Sequence, residues 1–222
     1  MNVLITGGTG FIGGEICNKL LQKGHTLVLL IRINEKIRAD LQKPGISFYP
    51  YEYAEDSKLP LDLMEKIDGI INMAGEPIFT GRWTEEKKKR ILDSRINITQ
   101  QLVDSIANLK GKKPHVLVSA SAVGYYGSRH DEEINEDGEQ GNDFLAQVCI
   151  RWEEVALKAA ALGVRTVTLR TGIVLDKGGG ALAQMVPPFK WFVGGTIGNG
   201  KQWFSWIHRE DMTNLYCFRF GG

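Results

Sequence analysis

Ser121, Tyr125 and Tyr126 fall within one short stretch, "SAVGYY". A serine hydroxyl can fix a carbonyl or alcohol oxygen, and a phenol can hand it a proton. With an ordinary pKa of ~10, a phenol is a poor base at neutral pH but an adequate hydrogen-bond donor. The alternative roles are a strand-end serine satisfied by backbone and two rings packed on a loop. A second chemical pattern stands at the amino end, where Gly7, Gly10 and Gly13 recur in "TGGTGFIG". Lacking side chains, they permit a tight turn, close backbone approach to a pyrophosphate, and close packing of helix on strand. A helix starting there brings free N–H groups and the positive end of its dipole to the anion.

This chemistry requires a strand before the glycines and a helix after them. Asn2–Thr6 is a short apolar run, and Phe11, Ile12, Ile16, Leu20 and Leu21 mark one helical face that Gly24 stops. A second buried strand, Thr26–Ile31, runs into Arg32. An acidic residue at that point would bond ribose hydroxyls, whereas a guanidinium suits a ribose 2′-phosphate. NADP(H) is therefore expected before NAD, with a surface role for Arg32 as the alternative.

Further strands are predicted at 47–51, Gly69–Asn72, Val116–Ser119 and Val164–Leu169. Thr84 can cap a long helix, with Glu85 and Glu86 near its positive end. A second amphipathic helix runs from Phe144 to Ala159. Near-continuous apolar strands alternating with helices to about residue 172 predict an α/β fold, a Rossmann-type doubly wound parallel sheet over 1–172. After Arg170, "DKGGGA", "VPPF", "VGGTIGNGKQ" and three tryptophans predict a loop-rich substrate side, 173–222, with a helix starting at Glu210. As a small lobe it looks incomplete, which suggests a shortened chain.

The formal net charge of +1 gives no general attraction to nucleic acid or to an anionic membrane. The run Lys87–Arg90 reads as a solvated helix face rather than a phosphate patch. Three distant cysteines without a CxxC argue against a disulfide framework or zinc site and for a reducing compartment. With neither a signal peptide nor an apolar run of spanning length, a cytoplasmic protein is expected. No GxSxG elbow supports a hydrolase.

Taken together, the motifs resemble the extended short-chain dehydrogenases/reductases, the NAD-dependent epimerase/dehydratase family. "TGGTGFIG" is similar to its glycine motif, "NMAGE" (Asn72–Glu76) to its turn after strand four, and "LVSASAVGYYG" (Leu117–Gly127) to its serine segment. "RTGIVL" and "WIHREDM" resemble later blocks, while "GGTIGNGKQWFSWIH" and "DSRINITQQLV" resemble an atypical "epimerase family protein" subgroup, usually longer than this chain. The resemblance implies Gly7, Gly10, Phe11, Ile12 and Gly13 around the pyrophosphate, and Met73, Ala74 and Gly75 beneath the adenosine and its ribose. It implies the nicotinamide near Ser119–Ser121. It makes Arg95 a cofactor contact or a helix-surface ion pair, and Glu76 a cleft or solvated carboxylate. It further implies oxidoreductase or epimerase-like chemistry on a small carbonyl or alcohol, and a homodimer paired through helices 85–109 and 142–162.

One part of the family pattern is missing. Its catalysis uses a serine with a tyrosine and a lysine four residues apart, one helical turn. The corresponding helix here offers Phe144/Val148 or Leu145/Cys149, and neither pair moves a proton at neutral pH in that way. Cys149 fits a core position. His208 fits a structural wall or an acid–base role, and Lys201 and Gln202 fit an anion contact or a surface loop. The missing pair supports a competing expectation, a non-catalytic NADP(H)-binding sensor or scaffold.

Overall fold

A computed structural model describes residues 1–33, 35, 37–51, 58–196 and 198–221. Six parallel strands form the central sheet: β1 (Asn2–Thr6), β2 (Thr26–Arg32), β3 (Ile46–Tyr51), β4 (Gly69–Asn72), β5 (Val116–Ala122) and β6 (Arg165–Thr171). Their order is β3-β2-β1-β4-β5-β6. The order reverses between β1 and β4, and in open α/β sheets ligands bind over the carboxyl ends of the strands at such a point.

Strand β1 shows why the sheet is buried on both sides. Successive side chains point to opposite faces. Val3 and Ile5 join a core with Ile16 and Leu20 of α1 (Phe11–Gln22) and Met212, Tyr216 and Phe220 of α6 (Arg209–Gly221). Leu4 joins the opposite core with Met64 of α2 (Leu61–Met64) and Ile98, Leu102 and Ile106 of α3 (Glu85–Ala107). Each such aliphatic side chain contributes about 1.5–3 kcal/mol on burial. Helix α4 (Phe144–Leu157) packs beside α3.

The helix ends follow their residues. Thr84 caps α3, its hydroxyl accepting from Lys87 N at 3.2 Å, and Asp143 caps α4 by accepting from Ala146 N at 2.9 Å. Gly24, at φ +78°, closes α1: His25 N donates to Leu20 O and Gly24 N to Leu21 O, a Schellman arrangement. Strands β5 and β6 run longer than their apolar cores indicate, to Ala122 and Thr171.

Beyond β6, β7 (Ile173–Leu175) pairs in parallel with β8 (Trp206–His208) as a separate small sheet. Between them lies α5 (Gly180–Lys190), which carries Pro187 and Pro188 inside it. An eleven-residue helix was not expected in this loop-rich stretch. Helix α6 then returns to the main core against α1.

Candidate functional site

The glycine turn joins β1 to α1 at the point of strand reversal. Gly7 has φ +70°, and a Cβ there would lie 2.8 Å from the carbonyl carbon and oxygen of Met73. A Cβ on Gly13 would lie 2.2 Å from Gly7 O and 2.8 Å from Gly8 Cα, so the first helical turn rests directly on the loop. Gly10 is extended at the N-cap and donates to Gly7 O at 3.1 Å. Whereas α3 and α4 are capped by their own side chains, α1 has no side-chain cap and no acidic residue in its first turn. Its N–H groups and dipole suit an external anion. The ring of Phe11 is used elsewhere, packed where Gly179 and Gly180 lack side chains and 4.7 Å from the Arg209 guanidinium. Its backbone is what it can offer the turn.

Register places Thr6, Asn72 and Ser119 side by side on β1, β4 and β5. They form a buried polar floor. The Thr6 hydroxyl donates to Asn72 Oδ1 (2.7 Å) and accepts from Met73 N and Ala74 N (both 3.0 Å), which shapes the turn after β4. Asn72 Nδ2 donates to Thr99 Oγ1 (2.8 Å) and Ser119 Oγ (3.2 Å). Thr99 also accepts from Trp152 Nε1 (2.9 Å) and donates to Arg95 O (2.6 Å). Ser119 is wholly buried in this floor. In this position its hydroxyl, accepting from Asn72, braces the strand ends from within the interior. The sequence signal for the floor was a polar residue closing each apolar strand.

Gly75 lies against Arg95, for a Cβ there would sit 2.7 Å from the guanidinium carbon. Arg95 is no helix-surface ion pair. It donates to Glu76 O (3.2 Å) and Ile91 O (2.8 Å) and lies 5.2 Å from the Trp152 ring. Burial works against its charge and lowers its pKa. Among the described residues no carboxylate comes within 4.0 Å of it. Glu76 is neither solvated nor free, because Lys87 Nζ donates to its Oε1 at 2.7 Å and holds the carboxyl below its usual range. Lys87 is buried, which departs from the solvated helix face expected for the basic run. Its place one turn before the core residue Ile91 explains why.

The helical phase of α4 is settled by Gly124. A Cβ there would meet Leu145 Cβ at 3.6 Å and Cys149 Sγ at 3.9 Å, while Phe144 turns to Trp83 (rings 5.9 Å apart, edge to face). Leu145 and Cys149 therefore face the end of β5. Burial raises the Cys149 thiol, which stays protonated at neutral pH. Ser121 is buried nearby and donates to Glu153 Oε1 at 2.5 Å. Arg170, opposite Ser121 in register, grips the same carboxylate through Nε and Nη2, both at 2.9 Å. Arg170 Nη1 then donates to Tyr126 OH (2.7 Å) and Glu136 O (2.8 Å), and the guanidinium lies 3.5 Å from the Tyr125 ring. Ser121, Tyr125 and Tyr126 are thus one cluster, joined by Glu153, which stands in no motif, and by Arg170, the first residue of "RTGIVL". With its hydrogen given to Glu153, Ser121 is left as an acceptor. The Tyr126 hydroxyl accepts from Arg170, and its own hydrogen has no acceptor among the described residues.

At the other end of the cleft, Arg32 is largely exposed and lies 3.7 Å from Glu35 Oε2. His208 is half exposed, 3.9 Å from Asp176, and accepts from Glu210 N at 3.3 Å; Asp176 is itself paired with Arg209 at 2.5 Å. Lys201 and Gln202 are exposed on the loop before β8. All three cysteines are free and buried. Among the described residues no group of three or more His, Cys, Asp or Glu gathers for a metal, and no helix is long and apolar enough to cross a membrane.

A sequence profile described as the NAD dependent epimerase/dehydratase family matches residues 3–219. An Arabidopsis thaliana protein, "Epimerase family protein SDR39U1 homolog, chloroplastic", is 44% identical over 216 residues, 97% of this chain and 61% of that protein. "Epimerase family protein YfhF" of Bacillus subtilis is 40% identical over 216 residues, 97% of this chain and 68% of its own. The chain thus spans about three-fifths of the Arabidopsis relative's length. The crystal structure of human epimerase family protein SDR39U1 (isoform 2) with NADPH superposes with a TM-score of 0.79 at 31% identity, covering 100% of this chain and 70% of that one.

Proposed function

Because the chain belongs to the NAD dependent epimerase/dehydratase family, we propose that it binds NADP(H) and acts as an oxidoreductase or epimerase on a small carbonyl or alcohol substrate. The observation that carries the reading is the uncapped start of α1 behind a glycine turn too tight for side chains. Gly7, Gly10 and Gly13, with the backbone of Phe11 and Ile12, hold the pyrophosphate. Met73, Ala74 and Gly75 pass under the adenosine side, with Arg95 and Glu76 bracing that turn, and Arg32 meets the 2′-phosphate. The NADPH in the human relative's structure favours the phosphorylated form over NAD. When bound, the dinucleotide supplies hydride transfer. The chain's own part is to hold the substrate oxygen, with Ser121 as acceptor and Tyr126, backed by Tyr125 and Arg170, as donor. An alcohol fits this pair best, since it can give a hydrogen to the serine and take one from the phenol.

Residues 1–172 are the cofactor-holding part and 173–222 the substrate side, with α6 lending its apolar face to the first. Three free cysteines fit a reducing compartment, the cytoplasm. Pairing of two copies through α3 and α4 belongs to the same proposal and is read by light scattering. Titrating the purified protein with NADPH and NADP⁺, followed by nicotinamide fluorescence or calorimetry, is the direct test. Saturation below millimolar supports it, and silence at millimolar ligand overturns it.

A second reading rests on Leu145 and Cys149, which face the end of β5 where a proton-transferring pair would stand. A non-catalytic sensor or scaffold then binds NADP(H) without turnover. Such a sensor must bind the two redox states with different affinity, or it has nothing to report. Turnover of any alcohol or carbonyl in a substrate panel, lost in Tyr126→Phe, removes this reading.

A further inference from the structure

The donors at the adenosine end of the cleft already hold an anion of the chain's own. Glu35 Oε1 accepts from the Thr9 hydroxyl of the glycine turn at 2.5 Å. Its Oε2 accepts from the backbone N–H of Arg32 at 3.1 Å and lies 3.7 Å from the Arg32 guanidinium. The carboxylate is four-fifths buried while the arginine is mostly exposed, with side-chain exposures of 20% and 65%. A second arginine on the same segment is engaged likewise, as Arg38 makes a two-pronged contact with Asp40 at 3.0 and 2.7 Å. A carboxylate in this position has two consequences. It can accept from a ribose hydroxyl, and it opposes a second anion arriving at the same donors.

We infer that Glu35 is a specificity-determining residue: a resident anion that holds the donors of Thr9 and Arg32, so that the chain separates phosphorylated from unphosphorylated dinucleotide less steeply than Arg32 alone would. The inference rests on the NADP(H) reading above. To engage Arg32, a 2′-phosphate displaces Glu35 from Thr9 and from the Arg32 N–H. An unphosphorylated ribose keeps the carboxylate in place and gains an acceptor.

The test compares dissociation constants for NADPH and NADH, and for the fragments 2′,5′-ADP and 5′-AMP, in the wild type, Glu35→Gln, Glu35→Ala and Arg32→Ala. Both Glu35 variants remove the charge at a chain position outside the cores, so either can report if the other folds poorly. The expected result is an increase of about tenfold in the preference for NADPH over NADH, and for 2′,5′-ADP over 5′-AMP, in both Glu35 variants. Arg32→Ala shifts the same ratios the other way. Ratios within twofold of the wild type in both Glu35 variants overturn the inference while dinucleotide binding persists. A protein that binds none of the four ligands refutes the NADP(H) reading itself, and the two failures are thereby told apart.

Discussion

Arg170→Met is the perturbation that the Ser121 cluster answers most clearly. Glu153 is 5% exposed and takes two hydrogen bonds from Arg170 and one from Ser121. Removing one partner of a buried ion pair costs about 3–5 kcal/mol, because the remaining charge is left without compensation. The Arg170 side chain is 20% exposed, so water reaches part of the vacated space and the lower end applies, about 3 kcal/mol. For a chain of 222 residues this is a fall in Tm of about 6–12 °C. Glu153→Leu loses less, about 2 kcal/mol, since Arg170 keeps Tyr126 and the Glu136 carbonyl and is itself partly exposed. The double variant Glu153→Leu/Arg170→Met removes both charges and recovers to within about 1 kcal/mol of the wild type. Urea denaturation of the four proteins closes the double-mutant cycle. If Arg170→Met costs under about 1 kcal/mol, or the double variant loses the sum of the two single-site losses, the two residues do not act as a pair and the account of the cluster fails.

Gly13→Ala places a methyl against backbone that no rotamer change can move. Its cost is expected at the upper end of overpacking, about 3 kcal/mol, with loss of dinucleotide binding, while Gly111→Ala, which meets nothing within 4 Å, is silent in the same melts. Equal behaviour of the two variants refutes the role of the tight turn. His25 has a buried Nδ1 with no partner among the described residues, and burial, the N-terminal amine and Lys23 hold its imidazole below the ordinary value. The unfolded chain therefore takes up the proton first. Stability from this group is complete above pH ~6.5 and declines as pH falls from there towards the folded pKa. His25→Phe should flatten that part of a pH-stability profile, and an unchanged slope between pH 5 and 7 counts against it.

How much of this was legible before folding depended on whether the signal was local. The glycine turn, the Thr84 cap and the Gly24 stop are matters of backbone sterics and neighbouring hydrogen bonds, and each stands where its residues put it. The doubly wound order of the sheet follows from apolar runs alternating with helices. The phase of α4 was not legible, because Phe144, Leu145, Val148 and Cys149 are all apolar and a shift of one residue leaves the pattern intact. Lys87 was hidden by its company in a charged run, although its spacing from Ile91 placed it on the buried face. Glu153 and Arg170 meet only after α4 and β6 have docked, and nothing near either residue announces the other. Helix α5 was obscured by two prolines that read as a break.

Thr99 gives its hydroxyl hydrogen to Arg95 O and receives one bond from Asn72 and another from Trp152, so its capacity is full. Through that one atom the roll of α4 about its own axis is tied to α3 and to the strand carrying Asn72. Turning α4 to present a different residue at the cleft would strand the indole N–H in a dry interior. The aliphatic and thiol pair near Ser121 is thus set by the same packing that seats the indole, not one position of a dial.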